Sequence, residues 1–162
     1  MSRAFVREPD ADTPPAPLPE IPLPPPPNPV TARGAAHIEG VIAELEARLS
    51  DAATPEHAEL RRRLRYWTAR RTTAQITLPP TDPDEVGFGS RVTLTWPGRG
   101  EVTVEIVGDD ESDPATGRVS WRAPLAAILI GAGRGETVEA RLGPGGMTGP
   151  VALGILAVTN SG

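Results

Sequence analysis

Apolar residues spaced three and four apart predict two helices in the first half of the chain. The first stripe is Ile38, Val41, Ile42, Leu45 and Leu49, and the second is Leu60, Leu64, Trp67 and Ala74. Such spacing places the apolar side chains on one face of a helix. Thr31 is a candidate N-cap for the first helix, and Thr54 followed by Pro55 is typical of the start of the second. Because only about four residues separate the helices, we predict an antiparallel hairpin, a short coiled coil, over residues 31–78, with its second helix ending near Ile76.

Alternating apolar and polar residues predict strands in the second half of the chain. The predicted strands are 91–96, 102–107, 136–142 and 151–158. A turn is expected at 97–100, a short apolar helix at 124–130, and a glycine-rich turn at 143–146. Together these elements predict an α+β fold in which a twisted antiparallel sheet carries one short helix.

Proline separates the chain into regions. Residues 1–30 hold 11 of the 20 prolines, and such a segment buries too little apolar surface to offset the entropy of ordering it. We therefore predict a disordered proline-rich arm over residues 1–30, acting as a spacer, with a ligand for a proline-binding module as the alternative. Further prolines mark a linker at 79–85, and the sheet domain is expected to span 86–160.

Composition excludes several classes of site. The chain has no cysteine and two histidines, so disulfides, thiolate metal sites and a histidine cage are excluded. It has no apolar run of about 18 residues and no signal-like apolar N-terminus, so we expect a cytoplasmic protein without a membrane span. The net charge is −5, and only the hairpin region is basic, which argues against nonspecific duplex binding as the main task.

Several short motifs of the second half occur in an order that is known from one family. They are Val86-Gly87-Phe88-Gly89-Ser90-Arg91-Val92-Thr93-Leu94, Ile106-Val107-Gly108-Asp109-Asp110-Glu111-Ser112-Asp113, the segment 117–131, and Pro144-Gly145-Gly146. This order resembles the C-terminal domain of the bacterial GreA/GreB transcription elongation factors. The start of the chain is similar to that of a short-armed branch of Gre-like proteins, and the pair Ala123-Pro124 is similar to that of Rnk, a Gre-like regulator with a short helical arm. The resemblance implies an FKBP-like fold and RNA polymerase as the partner.

The resemblance also assigns expected roles to the hairpin tip. In Gre factors the hairpin enters the secondary channel of the polymerase, and tip acids in a D-x-x-E-N pattern help hold a Mg²⁺ ion of the polymerase active site. Here the tip offers Asp51, in the predicted loop, with Glu56 and Glu59 in the second helix, and the paired pattern is absent. The first helix is also short, about 28 Å at 1.5 Å per residue. We therefore expect weak or no stimulation of transcript cleavage, no catalytic residues, and no cofactor or metal of the protein's own.

Polymerase docking is expected at the start of the short helix. In Gre proteins a loop near D/N-S-P helps dock the domain on polymerase, and Arg122, Ala123 and Pro124 occupy those positions here. Pro124 is retained, whereas Arg122 replaces the acidic or amide residue of the family. We predict docking through Trp121, Arg122, Pro124 and Leu125. A half-buried strand residue is the alternative interpretation of Trp121.

Two charged clusters have competing interpretations. The second helix carries Arg61, Arg62, Arg63, Arg65, Arg70 and Arg71. These arginines either form a solvated face that pairs with Glu39, Glu44 and Glu46 of the first helix, or contact an acidic channel wall or nucleic acid, with Arg61, Arg62 and Arg65 as the candidate contact residues. The acidic run 109–113 lacks the spacing of a calcium loop, so we interpret it as a solvated turn.

The function predicted from these observations is a Gre-like factor that binds RNA polymerase at its secondary channel and regulates elongation, and that is not an enzyme. It is expected to be a monomer, to have no membrane partner, and to contact nucleic acid mainly indirectly through the elongation complex. The alternatives are a Rnk-like regulator that occupies the channel without cleavage and a nucleic-acid-binding module that uses the arginine helix. A peptidyl-prolyl isomerase is a weaker alternative, because fold alone does not transfer function.

Overall fold

Two helices and two short strands form the N-terminal half of the structure. The computed structural model describes residues 17–51, 54–141 and 149–160. The N-terminal elements are β1 (Asn28–Val30), α1 (Ala32–Asp51), α2 (Thr54–Thr73) and β2 (Ala74–Ile76). Strands β1 and β2 pair in parallel, with Asn28 opposite Ala74 and Val30 opposite Ile76. Because β1 precedes α1 and β2 follows α2, this pairing joins the two ends of the hairpin at its base.

The apolar stripes of the two helices pack against each other as the sequence predicts. Ile38, Ile42 and Leu45 of α1 are buried, and so is Leu60 of α2. Trp67 is half-buried against this cluster, with its ring edge-on to His37 at 5.7 Å between centroids. Each helix has 20 residues, so the hairpin extends about 30 Å from its base.

The C-terminal half is a five-stranded sheet with one short helix. Its elements are β3 (Arg91–Trp96), β4 (Gly100–Val107), β5 (Arg118–Ser120), α3 (Pro124–Leu129), β6 (Thr137–Ala140) and β7 (Val151–Thr159). The strand order is β5-β4-β3-β7-β6. The predicted turn at 97–100 joins β3 to β4, and Gly98 and Gly100 have φ values of 78° and 80°, which favour glycine.

The prediction of a fully antiparallel sheet is wrong at one edge, because β5 pairs in parallel with β4. After β4 the chain passes through two short 3₁₀ turns, 109–111 and 114–116. Asp113 and Arg118 then exchange backbone hydrogen bonds of 2.9 and 3.0 Å, which close the intervening loop. This loop brings the chain back beside Glu105, so β5 runs in the same direction as the last three residues of β4.

Alternate residues of the central strands build the core of the sheet domain. Val92 and Leu94 of β3, Ile106 of β4 and Leu153 of β7 have no exposed surface, and Leu129 of α3 covers them. Alternation of this kind leaves one face of the sheet polar and one buried. The helix therefore lies on the apolar face that the sequence pattern predicts.

The predicted boundaries of the N-terminal regions need correction. Residues 28–30 form β1 rather than part of a disordered arm, and α2 ends at Thr73, not near Ile76. The reason is the buried side chain of Asn28, which donates hydrogen bonds to the carbonyl of Arg70 (3.0 Å) and to Thr73 Oγ1 (3.2 Å) at the end of α2. Residues 17–27 contain neither helix nor strand. Residues 1–16 of the predicted arm and the predicted turn at 143–146 lie outside the described residues.

Candidate docking site

Residues 121–125, which we call the docking turn, bring the predicted docking residues together between β5 and the start of α3. Backbone hydrogen bonds hold the turn, from Trp121 N–H to Val107 O (2.9 Å) and from Ala123 N–H to Ser120 O (2.8 Å). Pro124 is the first residue of α3 and is exposed. Leu125 is half-buried and packs against the core. The turn therefore offers a surface that joins a polar edge to the apolar core.

Arg122 is the most connected residue of this turn. Its guanidinium lies over the ring of Trp121, 4.4 Å from the centroid, and its Nε donates to Asp109 Oδ2 at 3.0 Å. Its Nη2 donates to the carbonyls of Pro25 and Pro27, the latter at 2.9 Å. Stacking and ion pairing fix an otherwise flexible side chain, so Arg122 is held in one orientation.

Trp121 lies in the turn after β5 and not in a strand, and its predicted role in docking stays a prediction. Its side chain is half-buried against the core, and it also supports Arg122 at the surface. The indole N–H is buried and has no acceptor among the described residues. An unpaired buried donor is costly.

One interpretation of the α2 arginines, pairing with glutamates of α1 across the hairpin, applies to Arg71 alone among the described residues. Arg62 donates to Glu59 Oε1 of its own helix at 3.2 Å and to the carbonyl of Pro19 at 3.0 Å. Arg65 makes a two-pronged contact with Glu20, at 2.6 and 3.2 Å. Arg61 is exposed. The single cross-hairpin pair among the described residues joins Arg71 to Glu39 at 3.4 Å.

Arg70, by contrast, is buried at the junction between the hairpin and the sheet domain. Its side chain is 2% exposed, and its Nε lies 2.5 Å from Asp110 Oδ2. Its Nη2 donates to Asn28 Oδ1, also at 2.5 Å, and lies 3.8 Å from Asp109 Oδ2. One guanidinium therefore joins α2, β1 and the segment after β4. Charge-assisted hydrogen bonds of this kind are strong and directional.

A second buried contact fixes the start of α1. Thr31 caps the helix, because its Oγ1 accepts from the N–H of Gly34 at 3.0 Å. The carboxylate of Glu111 accepts from Thr31 N–H (3.0 Å), Thr31 Oγ1 (2.5 Å) and Gly108 N–H (3.3 Å). Glu111 is 7% exposed. A carboxylate near a helix N-terminus is also favoured by the helix dipole.

These contacts correct the interpretation of the acidic run 109–113 as a solvated turn. Asp110 and Glu111 are junction residues that bind the ends of the two helices. Tyr66 also donates to Asp110 Oδ1 at 2.6 Å. Burial raises the pKa of Tyr66 far above its ordinary value, and the hydrogen bond to Asp110 and its charge raise it further.

Comparison with known proteins identifies the sheet domain. A family model described as "Transcription elongation factor, GreA/GreB, C-term" matches residues 80–159. The sheet domain is a GreA/GreB C-terminal domain. It is 42% identical over 82 residues to the transcription elongation factor GreB of Neisseria meningitidis, covering 49% of this chain and 50% of the relative. It is 44% identical over 64 residues to the transcription elongation factor GreA of Brucella anthropi, covering 39% and 40%. The chain thus spans about half the length of the curated relatives it matches.

A solved structure of the prokaryotic transcription elongation factor GreA/GreB from Nitrosomonas europaea is similar over a longer stretch. The similarity covers 83% of this chain and 99% of that one, at 21% identity and a TM-score of 0.41.

The tip acids of the hairpin lie apart from the docking turn. Asp51 is the last residue of α1 rather than a loop residue, and it is exposed. Glu56 lies in the first turn of α2, also exposed, and Glu59 lies about one turn further along and binds Arg62. The base contacts of Glu111 and Arg70 are at the other ends of the helices, so about 30 Å separates tip from base. Across the described ranges, no three Asp, Glu or His side chains are grouped as a metal site would require.

The residues that sequence reasoning missed are Asn28, Arg70, Asp110 and Glu111. One signal was available for Arg70, which lies three residues after Trp67 on the apolar stripe of α2, where a buried arginine needs an acid. The acids of the GreA/GreB motif after Gly108 are the matching partners. Their pairing spans 40 residues for Arg70 and Asp110, so no local pattern indicates it.

Proposed function

We propose that this chain binds RNA polymerase at its secondary channel and regulates transcription elongation, with weak or no stimulation of transcript cleavage. Within this proposal the protein is not itself an enzyme, acts in the cytoplasm as a monomer, and meets nucleic acid mainly through the elongation complex. The GreA/GreB C-terminal domain over residues 80–159 carries the proposal. The docking turn is part of that domain. We also propose that the domain has an FKBP-like fold, as the resemblance implies.

Polymerase contact is assigned to the surface formed by Trp121, Arg122, Pro124 and Leu125. Arg122 is preorganised by Trp121 and Asp109, so little side-chain entropy is lost when it binds. An aromatic ring beside an arginine is the kind of pair that supplies much of the binding energy at protein interfaces.

We expect weak cleavage because the tip lacks the paired acidic pattern of the family. A Mg²⁺ ion binds carboxylate oxygens at about 2.1 Å in near-octahedral geometry. The tip offers Asp51 at the end of α1 and Glu56 in the first turn of α2, and Glu59 already pairs with Arg62. A Rnk-like regulator that occupies the channel without cleavage is therefore the second candidate, and the 20-residue length of each helix favours it.

The nucleic-acid-binding alternative has less support. Two of its three arginines, Arg62 and Arg65, already bind residues of the same chain.

None of the helices in the described ranges has the length and hydrophobicity that a membrane crossing requires.

The docking proposal is tested by capturing core RNA polymerase with the immobilised full-length protein. We expect Trp121→Ala combined with Arg122→Glu to lose most of the binding. Arg99→Glu is a matched control, because Arg99 also stacks on a tryptophan, 4.9 Å from the ring of Trp96, at another part of the domain. Equal capture by the wild type and the folded double variant would contradict the docking assignment.

The cleavage proposal is tested on a stalled, backtracked elongation complex by following the release of short 3′ RNA fragments. We expect little release above the intrinsic rate. Efficient release that is lost on Asp51→Ala or Glu56→Ala would show that the tip does reach the catalytic metals.

A further inference from the structure

Residues 17–27, which we call the strap, contact both the arginines of α2 and the docking turn. Arg62 of α2 donates to the carbonyl of Pro19 at 3.0 Å, and Arg65 pairs with Glu20 at 2.6 Å. Arg122 of the docking turn donates to the carbonyls of Pro25 and Pro27. The strap therefore occupies arginines of both the basic helix and the docking turn.

The strap is weakly attached. Leu18 and Leu23 are 44% and 53% exposed, and only Ile21 and Pro24 are half-buried. The pair of Glu20 and Arg65 is exposed on both sides, and exposed ion pairs contribute little to stability. A segment with few buried apolar contacts opens locally without unfolding the rest.

The residues after the strap are firmly anchored. Asn28 and Val30 are 2% and 1% exposed, and β1 pairs with β2 along its length. Asn28 also binds the buried Arg70 at 2.5 Å. The strap can therefore leave by rotation near Pro27 while β1, the hairpin and the sheet domain stay in place.

The contacts of the strap indicate the chemistry of what could replace it. The three arginines hold backbone carbonyl oxygens and one carboxylate, which are the acceptors of an extended acidic polypeptide. A planar guanidinium recognises a carboxylate through two parallel hydrogen bonds, as Arg65 does with Glu20. The occupant that is seen is a polypeptide, so a protein partner is favoured over a nucleic acid.

We propose that the strap is an intramolecular cover that competes with an acidic protein surface for Arg62, Arg65 and Arg122. The inference rests on the proposed function, because the partner is the polymerase surface that meets the docking turn. In the covered state the strap lowers affinity, and partner binding displaces it. The arm is then a regulator of docking, not only a spacer.

Strap position is measured first, without any partner. The chain has no cysteine, so Leu23→Cys and Glu139→Cys introduce two spin labels at exposed sites of the full-length protein, one on the strap and one on β6. Pulsed EPR is expected to give a narrow distance distribution. Glu20→Arg should broaden it, because attraction to Arg65 becomes repulsion, and Glu20→Arg with Arg65→Glu should narrow it again.

The matched control is Glu44→Arg, which makes the same charge change at an exposed position of α1. It should leave the distribution narrow. If Glu20→Arg and Glu44→Arg give the same distribution, the strap is not held by these contacts and the inference is overturned.

Binding is then measured on the same labelled protein with two acidic probes, core RNA polymerase and a heptaglutamate peptide. We expect both probes to broaden the distribution, and Glu20→Arg to bind each about two- to fivefold more tightly than the wild type. Polymerase binding that leaves the strap in place would overturn the inference and keep the proposed function. If heptaglutamate displaces the strap but polymerase does not bind, the inference stands and the proposed function is overturned. Displacement by a single-stranded oligonucleotide but by neither acidic probe, or by nothing at all, would also overturn the inference.

Discussion

The core of the sheet domain and the junction with the hairpin are both buried, but they are held by different forces. In the core, Leu94, Ile106 and Leu153 contact other apolar side chains, and such packing is non-directional. At the junction, Arg70 binds Asp110 and Asn28 through hydrogen bonds of 2.5 Å, which require defined angles. We therefore expect the core to stabilise the sheet domain without fixing the hairpin, whereas the junction determines where the hairpin points.

The largest expected effect comes from removing one partner at the junction. Arg70→Ala should lower the free energy of unfolding by about 3–5 kcal/mol, because it leaves Asp110 and Asn28 buried without their partner. Chemical denaturation measures this loss. The double variant Arg70→Ala, Asp110→Ala should lose less than the sum of the two single variants. Additive losses would show that the pair is not coupled.

A cavity in the core tests the other side of the comparison. Leu94→Ala should cost about 2–5 kcal/mol and leave the direction of the hairpin unchanged. Spin labels at Glu44→Cys on α1 and Glu139→Cys on β6 report that direction. Arg70→Ala should broaden the label distance and Leu94→Ala should not. If both variants broaden it equally, the core and the junction do not have separate roles.

Smaller effects on stability, of opposite sign, are expected from substitutions at two glycines of α1, Gly34 and Gly40. A Cβ at Gly34 would lie 2.2 Å from the carboxylate of Glu111, whereas a Cβ at Gly40 would meet nothing within 4 Å. Glu111 is held by three hydrogen bonds and cannot move freely, so Gly34→Ala should cost about 1–3 kcal/mol. Gly40→Ala should instead stabilise by about 0.5–1 kcal/mol, as expected for an open helical site. Thermal or chemical denaturation of both variants checks the opposite signs.

The smallest effect concerns Tyr66, whose raised pKa reports on the junction. Folding favours the neutral phenol, so its contribution to stability is complete below the ordinary pKa of about 10 and is lost as pH rises toward the raised pKa. Tyr66 is the single tyrosine, so phenolate absorbance during an alkaline titration follows it alone. Asp110→Asn should lower its pKa, because the hydrogen bond from Tyr66 and the nearby negative charge both change. An unchanged titration in that variant would leave burial as the cause.

The parts of the fold that were predicted correctly are those with local periodic patterns. The stripe from Ile38 to Leu45 and the alternation of Val92 and Leu94 each repeat with the period of their element, so neighbours in sequence reveal the buried face. The short helix also begins at Pro124 as predicted. Parallel pairing of β4 and β5 was missed because strand direction depends on a loop and not on the strand pattern.

The junction could not be predicted from local patterns. Glu111 and Thr31 are 80 residues apart, and Arg70 and Asn28 are 42 apart. An acidic run is usually exposed, and only the position of the helices makes burial of Asp110 and Glu111 favourable. The docking turn was located from a family motif, whereas its link to Pro25 and Pro27 depends on the path of the N-terminal segment.

The parallel pairing of β1 with β2 has a consequence for how the helical hairpin, which forms a helical arm, can vary in length. Among the described residues, the contacts that join the hairpin to the sheet domain are near its base, through Arg70 and Glu111 beside the paired strands of Val30 and Ile76. Insertions of whole helical turns on both sides of the tip would extend the arm without altering any of these contacts. The length of the hairpin and its direction are therefore set by different parts of the structure, and a longer hairpin could be grafted onto the same base.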